Sequence, residues 1–202
     1  MIKAIFFDLD GVVVSHAKIF SDYLQEEYGI DKESQLEFFK GEFQDCLVGK
    51  ADLKEEIIPY MQKWGWKGSV EDLLDYWFDV EAKTDERVLA MVQKLRERGI
   101  KCYLATNQEK YRTVYVANEM GLSKVFDGIF SSASVGYIKN NHKFFEIVLS
   151  EIGNPKPEEV MFWDDSIENV EIAKSLGIKA ELYIGFEDFK EKMIAYLTNP
   201  LV

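Results

Sequence analysis

The chain has 202 residues, of which 24 are Lys or Arg and 36 are Asp or Glu, so its formal net charge at pH 7 is −12. Nucleic acids and anionic membranes attract clustered basic side chains, and this acidic excess therefore argues against both as partners. Hydrophobic residues make up 47% of the chain and aromatic residues 14%, which excludes a disordered acidic protein and provides for a sizeable core.

The sequence contains no segment typical of a membrane protein or a secreted protein. The first residues, MIKAIFFDLD, become charged too early for a signal peptide, and no apolar run approaches the roughly 20 residues that span a bilayer. Cys46 and Cys102 form no metal-binding pair such as CxxC and are typical of a reducing compartment. We therefore expect a cytoplasmic protein that is a monomer or a weak dimer.

Five short apolar segments have the character of buried parallel strands. In chain order they are Lys3–Leu9, Ile100–Ala105, Gly128–Ser131, Val160–Trp163 and Lys179–Ile184. Helices are predicted from an N-cap at Thr84 to Gly99, over about Glu109–Met120, from near Asn141, and from Ser166 to just before Gly177. This alternation predicts an α/β fold with a Rossmann-like parallel sheet that carries helices on both faces.

The segment between the first two strands is longer than a crossover requires. About 70 residues there show helical periodicity only, and a βαβ crossover needs far fewer. We predict that residues 15–83 form an inserted helical-bundle cap of four or five helices, and that residues 1–14 and 84–202 form the α/β core domain. The insert leaves the chain after the first strand, so it is expected over the carboxyl edge of the sheet, where open α/β sheets bind ligands.

Two acidic residues close the first strand, in FFDLDGVVV. Asp8 and Asp10 are two residues apart, so both can point to the same side, and Gly11 permits a sharp departure of the chain. Two carboxylates this close repel each other unless a cation lies between them or one takes a proton. Asp and Gly are also common in ordinary turns, so this pair is ambiguous on its own.

Polar side chains follow three further strands. Thr106 and Asn107 end the second strand and suit a phosphate oxygen, although both residue types also cap helices. Asp164 and Asp165 end the fourth strand, where complementarity to a helix dipole explains one acid but less easily two. Lys139 follows the third strand. Together with the first strand, these ends supply the groups needed to hold Mg²⁺ and a phosphoryl group.

These segments resemble the motifs of the haloacid dehalogenase (HAD) superfamily, and the resemblance covers nearly the whole chain. DLDGVV is similar to the first motif, LATN to the second and FWDDSIENVEIAKSLGI to the fourth. The position of the insert matches the helical C1 cap of one branch. That branch includes phosphoglycolate phosphatase-like, β-phosphoglucomutase-like and sugar-phosphate phosphatase members.

The resemblance implies Mg²⁺-dependent hydrolysis of a small phosphorylated metabolite. It implies that Asp8 is the nucleophile, which forms an aspartyl-phosphate, and that Asp10 is the general acid and base. Thr106 and Lys139 are the implied catalytic groups that bind the phosphoryl group, with help from Asn107. The metal ligands that it implies are Asp8, Asp164 and Asp165, together with Asp10 through its backbone carbonyl.

The third motif departs from the family pattern. Family members usually follow the lysine with Pro and an acid, whereas this chain continues as Asn140–Asn141–His142–Lys143. The missing Pro loosens the backbone that positions Lys139. Lys143 is therefore an alternative for its role, although its place beside a pair of Phe residues is more typical of a helix surface.

The cap is expected to choose the leaving group, as in the C1-capped branch. Residues 15–83 contain 8 Lys and 16 Asp or Glu, a net charge of −8, which predicts a preference for neutral or amine leaving groups over polyanions. His16 and Lys50 are the candidate substrate-binding residues of the cap, although solvated side chains are the more common state of such residues. Five aromatic residues could line the pocket but have the spacing of core residues: Trp64, Trp66, Tyr76, Trp77 and Phe78.

Two other functions fit the same motifs. A phosphomutase shares every motif and differs in returning the phosphoryl group to a bisphosphate intermediate, which the acidic cap mildly disfavours. A phosphate- or metal-binding regulator that kept the fold without catalysis is the second alternative, and the altered third motif leaves it open.

Overall fold

The computed structural model describes residues 1–15 and 18–197; His16 lies outside the described residues. Its centre is a sheet of five strands, all pairing in parallel, in the order β3-β2-β1-β4-β5. The strands are β1 (Ala4–Phe7), β2 (Lys101–Thr106), β3 (Gly128–Ser131), β4 (Val160–Asp164) and β5 (Lys179–Leu182). The predicted parallel sheet is confirmed, with β1 in the middle.

Thirteen α-helices lie in the part of the chain that the structure describes. Those before β2 are α1 (Phe20–Tyr28), α2 (Lys32–Lys40), α3 (Phe43–Leu47), α4 (Leu53–Glu56), α5 (Ile58–Trp64), α6 (Val70–Val80) and α7 (Glu86–Glu97). Those after β2 are α8 (Lys110–Asn118), α9 (Leu122–Val125), α10 (Ser132–Val135), α11 (His142–Glu151), α12 (Ile167–Ser175) and α13 (Phe186–Tyr196). None of these helices has both the length and the apolar character needed to cross a membrane.

Helices cover both faces of the sheet, as predicted. Successive side chains of a strand point to opposite faces. On β1, Phe7 joins one buried cluster with α7 and α13, to which Val92 and Phe189 belong. Phe6 joins a separate cluster with α11 and α12, to which Phe145 and Val170 belong. The two clusters are the hydrophobic cores on the two sides of one sheet.

Several predicted boundaries were wrong by one or two residues. β1 ends at Phe7 and not at Leu9, because the Leu9 N–H donates to the Asp8 carboxylate and leaves the ladder. Asp85, and not Thr84, caps α7: its carboxylate accepts the Arg87 N–H at 2.9 Å, whereas Thr84 forms a β-bridge to Val14. Both residue types are good caps, so the choice depends on this tertiary bridge.

The inserted segment contains six described helices, α1 to α6, and not four or five. Pro59 is one reason, since it lacks an N–H, favours the first turn of a helix and is the second residue of α5, which directly follows the short α4. These helices enclose a third hydrophobic cluster, which includes Phe38, Leu73 and Trp77. The chain enters and leaves the insert side by side, because the Ser15 N–H donates to the Lys83 carbonyl at 3.0 Å.

Helix α8 connects the inserted helices to the rest of the fold. Arg112 is 2% exposed, and its guanidinium donates to the carbonyls of Phe78 and Glu81, both at 2.6 Å. One turn further along α8, the Tyr115 hydroxyl donates to Asp79 at 2.5 Å. The carboxyl end of α6 is therefore held directly by the helix that follows β2.

Candidate active site

A cavity of about 760 Å³ opens at the carboxyl edge of the sheet. Parallel strands bring their carboxyl ends to one edge, so residues far apart in sequence meet there. Six of the predicted site residues line this cavity: Asp8, Asp10, Thr106, Asn107, Lys139 and Asp165. Thr106 is 1% exposed at the end of β2.

The floor of the cavity is a buried triad of charges. The Lys139 ammonium lies 2.5 Å from an Asp8 oxygen and 2.7 Å from an Asp164 oxygen. All three side chains are at most 9% exposed. Buried charges are tolerated when they are paired and hydrogen-bonded, and here one cation is shared by two anions.

Burial and charge act in opposite directions within this triad. Burial raises the pKa of Asp8 well above its ordinary value, and the Lys139 ammonium opposes that effect. Burial lowers the pKa of Lys139, but the carboxylates of Asp8 and Asp164 outweigh it and raise the pKa above its ordinary value. Lys139 therefore stays charged, and its ammonium favours the charged form of Asp8 against the effect of burial.

Asp164 is held on every side by donors. Its Oδ2 accepts from Lys139, and its Oδ1 accepts the Ser166 N–H at 2.8 Å and the Asn169 amide at 3.0 Å. Ser166 and Asn169 belong to the start of α12, so the first turn of that helix orients Asp164. The side chain of Asp164 thus fixes Lys139 against Asp8.

Three carboxylates lie close enough together to hold a cation. Asp8, Asp164 and Asp165 each offer an oxygen within 4.8 Å of the others. Gly11 leaves room for Asp165: a Cβ at Gly11, where φ is +81°, would come within 2.0 Å of Asp165 Oδ2. The turn after β1 therefore requires glycine, both for its backbone conformation and for the approach of Asp165.

Asn107 holds the backbone of Lys139, which no proline directly follows. Its side-chain oxygen accepts the Lys139 backbone N–H at 2.9 Å, which fixes the loop before α11 to the end of β2. Asn141 caps α11 by accepting the Lys143 N–H. Lys143 is exposed on α11 and pairs with Glu146 at 2.6 Å. Of the two candidate lysines, Lys139 is the one that contacts the carboxylates.

Asp10 is turned toward a residue that was not predicted. Its Oδ2 accepts a hydrogen bond from the side-chain amide of Gln108, which directly follows Asn107. Asp10 thus lines the cavity but is not among the three clustered carboxylates. Its side chain faces Gln108, the residue that follows the second motif.

Of the two candidate cap residues, His16 lies outside the described residues, and Lys50 is not brought to the cavity. Lys50 lines a separate depression of about 590 Å³, together with Val48 and Tyr137. The aromatic residues of the insert pack in or against its own hydrophobic cluster: Trp64, Trp66, Tyr76, Trp77 and Phe78. The described residues that the insert contributes to the cavity lie near its start, at Ser15 and Ile19.

Sequence reasoning missed Gln108 and Asn169, each of which orients a predicted acid. Asn169 carried a local signal, since it lies one helical turn after Ser166 and can reach back to the strand end. Gln108 carried none, because its partner is 98 residues away. Glu168 and Asn140 also line the cavity and were not singled out.

The parallel sheet, the acids at the end of its central strand and the buried lysine beside them define an α/β protein with a charged site at the carboxyl edge of the sheet. The family model for haloacid dehalogenase-like hydrolases matches residues 2–177. The chain therefore belongs to the haloacid dehalogenase-like hydrolase family, which confirms the resemblance drawn from the motifs.

Similarity to individual proteins agrees with this membership. The chain is 33% identical to the sesquiterpene phosphatase astK of Aspergillus oryzae over 97 residues, which is 48% of each chain, so it spans about half the length of that relative. It is 23% identical to a D-ribitol-5-phosphate phosphatase of Bacteroides thetaiotaomicron, over 98% of this chain and 100% of the relative. A solved HAD family enzyme of the same bacterium, in complex with magnesium and inorganic phosphate, shares the fold with a TM-score of 0.80 at 21% identity, over 95% and 99% of the two chains.

Proposed function

We propose that this protein is a Mg²⁺-dependent phosphomonoester hydrolase that acts on small metabolites through an aspartyl-phosphate on Asp8. The observation that carries the proposal is the buried ion-paired triad of Asp8, Lys139 and Asp164 at the floor of the cavity. Two relatives named as phosphatases support it, as does a fold neighbour in complex with magnesium and phosphate. Residues 15–83 are the proposed cap.

The acidic cluster fits a magnesium ion. Mg²⁺ prefers carboxylate and carbonyl oxygens, and Asp8, Asp164 and Asp165 offer oxygens within 4.8 Å of one another. The carboxylate oxygens of Asp164 already accept hydrogen bonds from Lys139, Ser166 and Asn169. Asp8 and Asp165 are therefore the side chains proposed to hold the ion. A bound Mg²⁺ would neutralise charge on the phosphoryl oxygens.

Lys139, Thr106 and Asn107 are proposed to bind the phosphoryl group. Anionic phosphoryl oxygens repel an anionic nucleophile, so fixed positive charge and hydrogen-bond donors beside Asp8 favour the transition state. The Lys139 ammonium is already in contact with Asp8, and Thr106 lines the same cavity. The hydrogen bond from the Lys139 N–H to Asn107 keeps Lys139 and the end of β2 in one arrangement, which reduces reorganisation during the reaction.

The proposed reaction has two displacements. An Asp8 oxygen bonds to phosphorus while the P–O bond to the leaving group breaks, and Asp10 gives its proton to the departing alcohol oxygen. Water then attacks phosphorus, Asp10 takes a proton from it, and Asp8 is released as a carboxylate. Both acids line the same cavity, so one site can serve both steps.

The charge of the cavity favours a neutral or amine-bearing leaving group. Lys139 is the only Lys or Arg among the described lining residues, and two carboxylates already share its charge. Glu168 adds a further acid, and Ser15 and Asn140 offer hydrogen bonds to hydroxyl groups. A sugar or polyol monophosphate satisfies these groups, whereas a second phosphate would meet acidic side chains.

A screen of phosphate esters with Mg²⁺ tests the proposal. It includes polyol and sugar monophosphates, amino-alcohol phosphates, and the bisphosphates and nucleotides of matched size. We expect turnover of the neutral and amine monophosphates, at least tenfold faster than turnover of any polyanion, and its loss in Asp8→Asn. Turnover that persists in Asp8→Asn would contradict the nucleophile, and a bisphosphate as best substrate would contradict the substrate class.

A further inference from the structure

The Gln108 side chain joins the segment after β2 to Asp10, the proposed general acid and base. Its side-chain amide donates to Asp10 Oδ2, although the two residues are 98 positions apart. A carboxylate only accepts hydrogen bonds, so the NH₂ group of the amide must face it. We propose that Gln108 is a positioning residue that sets the rotation of the Asp10 carboxyl group for proton transfer; this role rests on the proposed function.

The backbone of Gln108 is held firmly enough to position another side chain. Its carbonyl accepts the Ala133 N–H at 3.2 Å and the Ser132 hydroxyl at 3.3 Å, both from α10. The next residue, Glu109, is 1% exposed and caps α8 by accepting the N–H groups of Tyr111 and Arg112. The Gln108 carbonyl and the Glu109 side chain thus fix the segment between β2 and α8. The Gln108 side chain reaches Asp10 from this fixed segment.

The position of Asp10 in the turn after β1 does not by itself fix the rotation of its carboxyl group. It follows the end of β1, in a turn closed by the Gly11 N–H donating to the Val14 carbonyl at 2.8 Å. The torsion that rotates an aspartate carboxyl group has a broad, nearly two-fold profile, so the backbone alone does not fix it. A hydrogen bond at Oδ2 selects one rotation and aims the group relative to Asp8.

The chemistry of proton transfer gives this role a specific signature. When the P–O bond breaks, the electron pair goes to the leaving oxygen, and an alkoxide needs the proton from Asp10. A nitrophenolate is a stable anion and leaves without it. Misplacing Asp10 should therefore slow the first displacement of an alkyl phosphate and spare that of an aryl phosphate, whereas a general structural defect slows both.

The experiment compares the best alkyl monophosphate of the screen with p-nitrophenyl phosphate by kcat/KM, which reports the steps through the first displacement. Gln108→Leu removes the donor at similar volume, and Gln108→Glu keeps the shape but places a carboxylate against Asp10. Since general acid catalysis contributes about 10²–10⁴-fold, we expect both variants to lose about tenfold or more with the alkyl ester and less than about twofold with the aryl ester. The variants are compared at equal folded fraction, measured by thermal unfolding.

Gln93 supplies the matched control. Its amide also donates to a carboxylate, that of Glu97 at 3.0 Å, but on the exposed surface of α7. Gln93→Leu should leave both kcat/KM values unchanged. Equal losses for the two esters in the Gln108 variants, or no loss, would overturn the positioning role while leaving the proposed function intact. Absence of turnover with every ester of the screen in the wild-type protein would overturn both.

Discussion

The shape of the turn after β1 depends on one missing side chain. Gly11 combines a φ of +81° with an approach to Asp165 that leaves no room for a Cβ. Asp8 and Asp165 are the proposed ligands of Mg²⁺, so the space above Gly11 determines whether these acids can come together. Glycine at this position is therefore a requirement of the site.

Gly11→Ala should weaken Mg²⁺ binding. The added Cβ displaces Asp165, so we expect the Mg²⁺ concentration for half-maximal activity to rise about tenfold or more, measured by metal titration. Gly29→Ala is the matched control, because Gly29 has a φ of +69° with nothing within 4 Å of its Cβ position. Both variants carry the left-handed backbone cost of about 1–2 kcal/mol, but only the first meets an atom. Equal Mg²⁺ requirements in the two variants would count against this role.

Lys139 and Lys143 offer a second matched pair. Lys139→Met removes the cation shared by Asp8 and Asp164, so we expect kcat/KM to fall by about 10²–10³-fold, the loss typical of a missing transition-state contact. Lys143→Met breaks only the exposed pair with Glu146 and should change activity less than twofold. Steady-state kinetics on the best ester of the screen measures both. A larger loss at Lys143 would reverse the assignment of the third-motif lysine.

At the scale of elements, α8 is one of the attachments of the inserted helices. Arg112 is buried and donates to two carbonyls at the end of α6, so its removal leaves one buried and one half-buried acceptor without this donor. We expect Arg112→Met to lower the free energy of unfolding by about 3 kcal/mol, measured by urea denaturation.

Arg87→Met is the comparison for Arg112→Met. Arg87 is 61% exposed and pairs with Asp85 on the surface, so its replacement should cost at most about 1 kcal/mol. If the two variants lost equal stability, the attachment through α8 would not have the importance that its burial suggests.

Asp127 joins α7 to β2 and gives a prediction about pH. Burial raises the pKa of its carboxyl, but the Cys102 N–H, Lys101 and Arg96 outweigh this and hold the pKa below its ordinary value of 3.8. A carboxyl whose pKa is lowered by folding stabilises the protein above its unfolded pKa and loses that contribution as the pH falls through the folded pKa.

Asp127→Asn should therefore be less stable than the wild type at pH 7, by about 1.5–3 kcal/mol, the usual range for hydrogen bonds to a charged group. The difference should shrink as the pH falls below about 3.8 and the wild-type carboxyl becomes protonated. Urea denaturation across pH 3 to 7 measures it. A stability difference that grew toward low pH would contradict a lowered pKa of Asp127 in the folded protein.

At the scale of the whole molecule, the features that could be predicted from the sequence are those that depend on neighbouring residues. Apolar runs and strand-end acids are local signals, so the parallel sheet and the residues at its edge, such as Asp8 and Thr106, could be identified. Contacts between distant segments could not. Gln108 contacts Asp10, which is 98 positions away in the sequence. Thr84 does not cap α7 because it forms a β-bridge to Val14.

The most direct test of the central claim follows the phosphoryl group itself. In Asp10→Asn, p-nitrophenyl phosphate can still phosphorylate Asp8, because its leaving group needs no proton, but hydrolysis of the intermediate lacks its general base. We expect a burst of nitrophenol close to one equivalent per enzyme, and mass spectrometry of the acid-quenched protein should find one phosphoryl group on the peptide that contains Asp8. A wild-type enzyme that turns over this ester, together with an Asp10→Asn variant that shows no burst or carries the phosphoryl group on another residue, would contradict the aspartyl-phosphate mechanism.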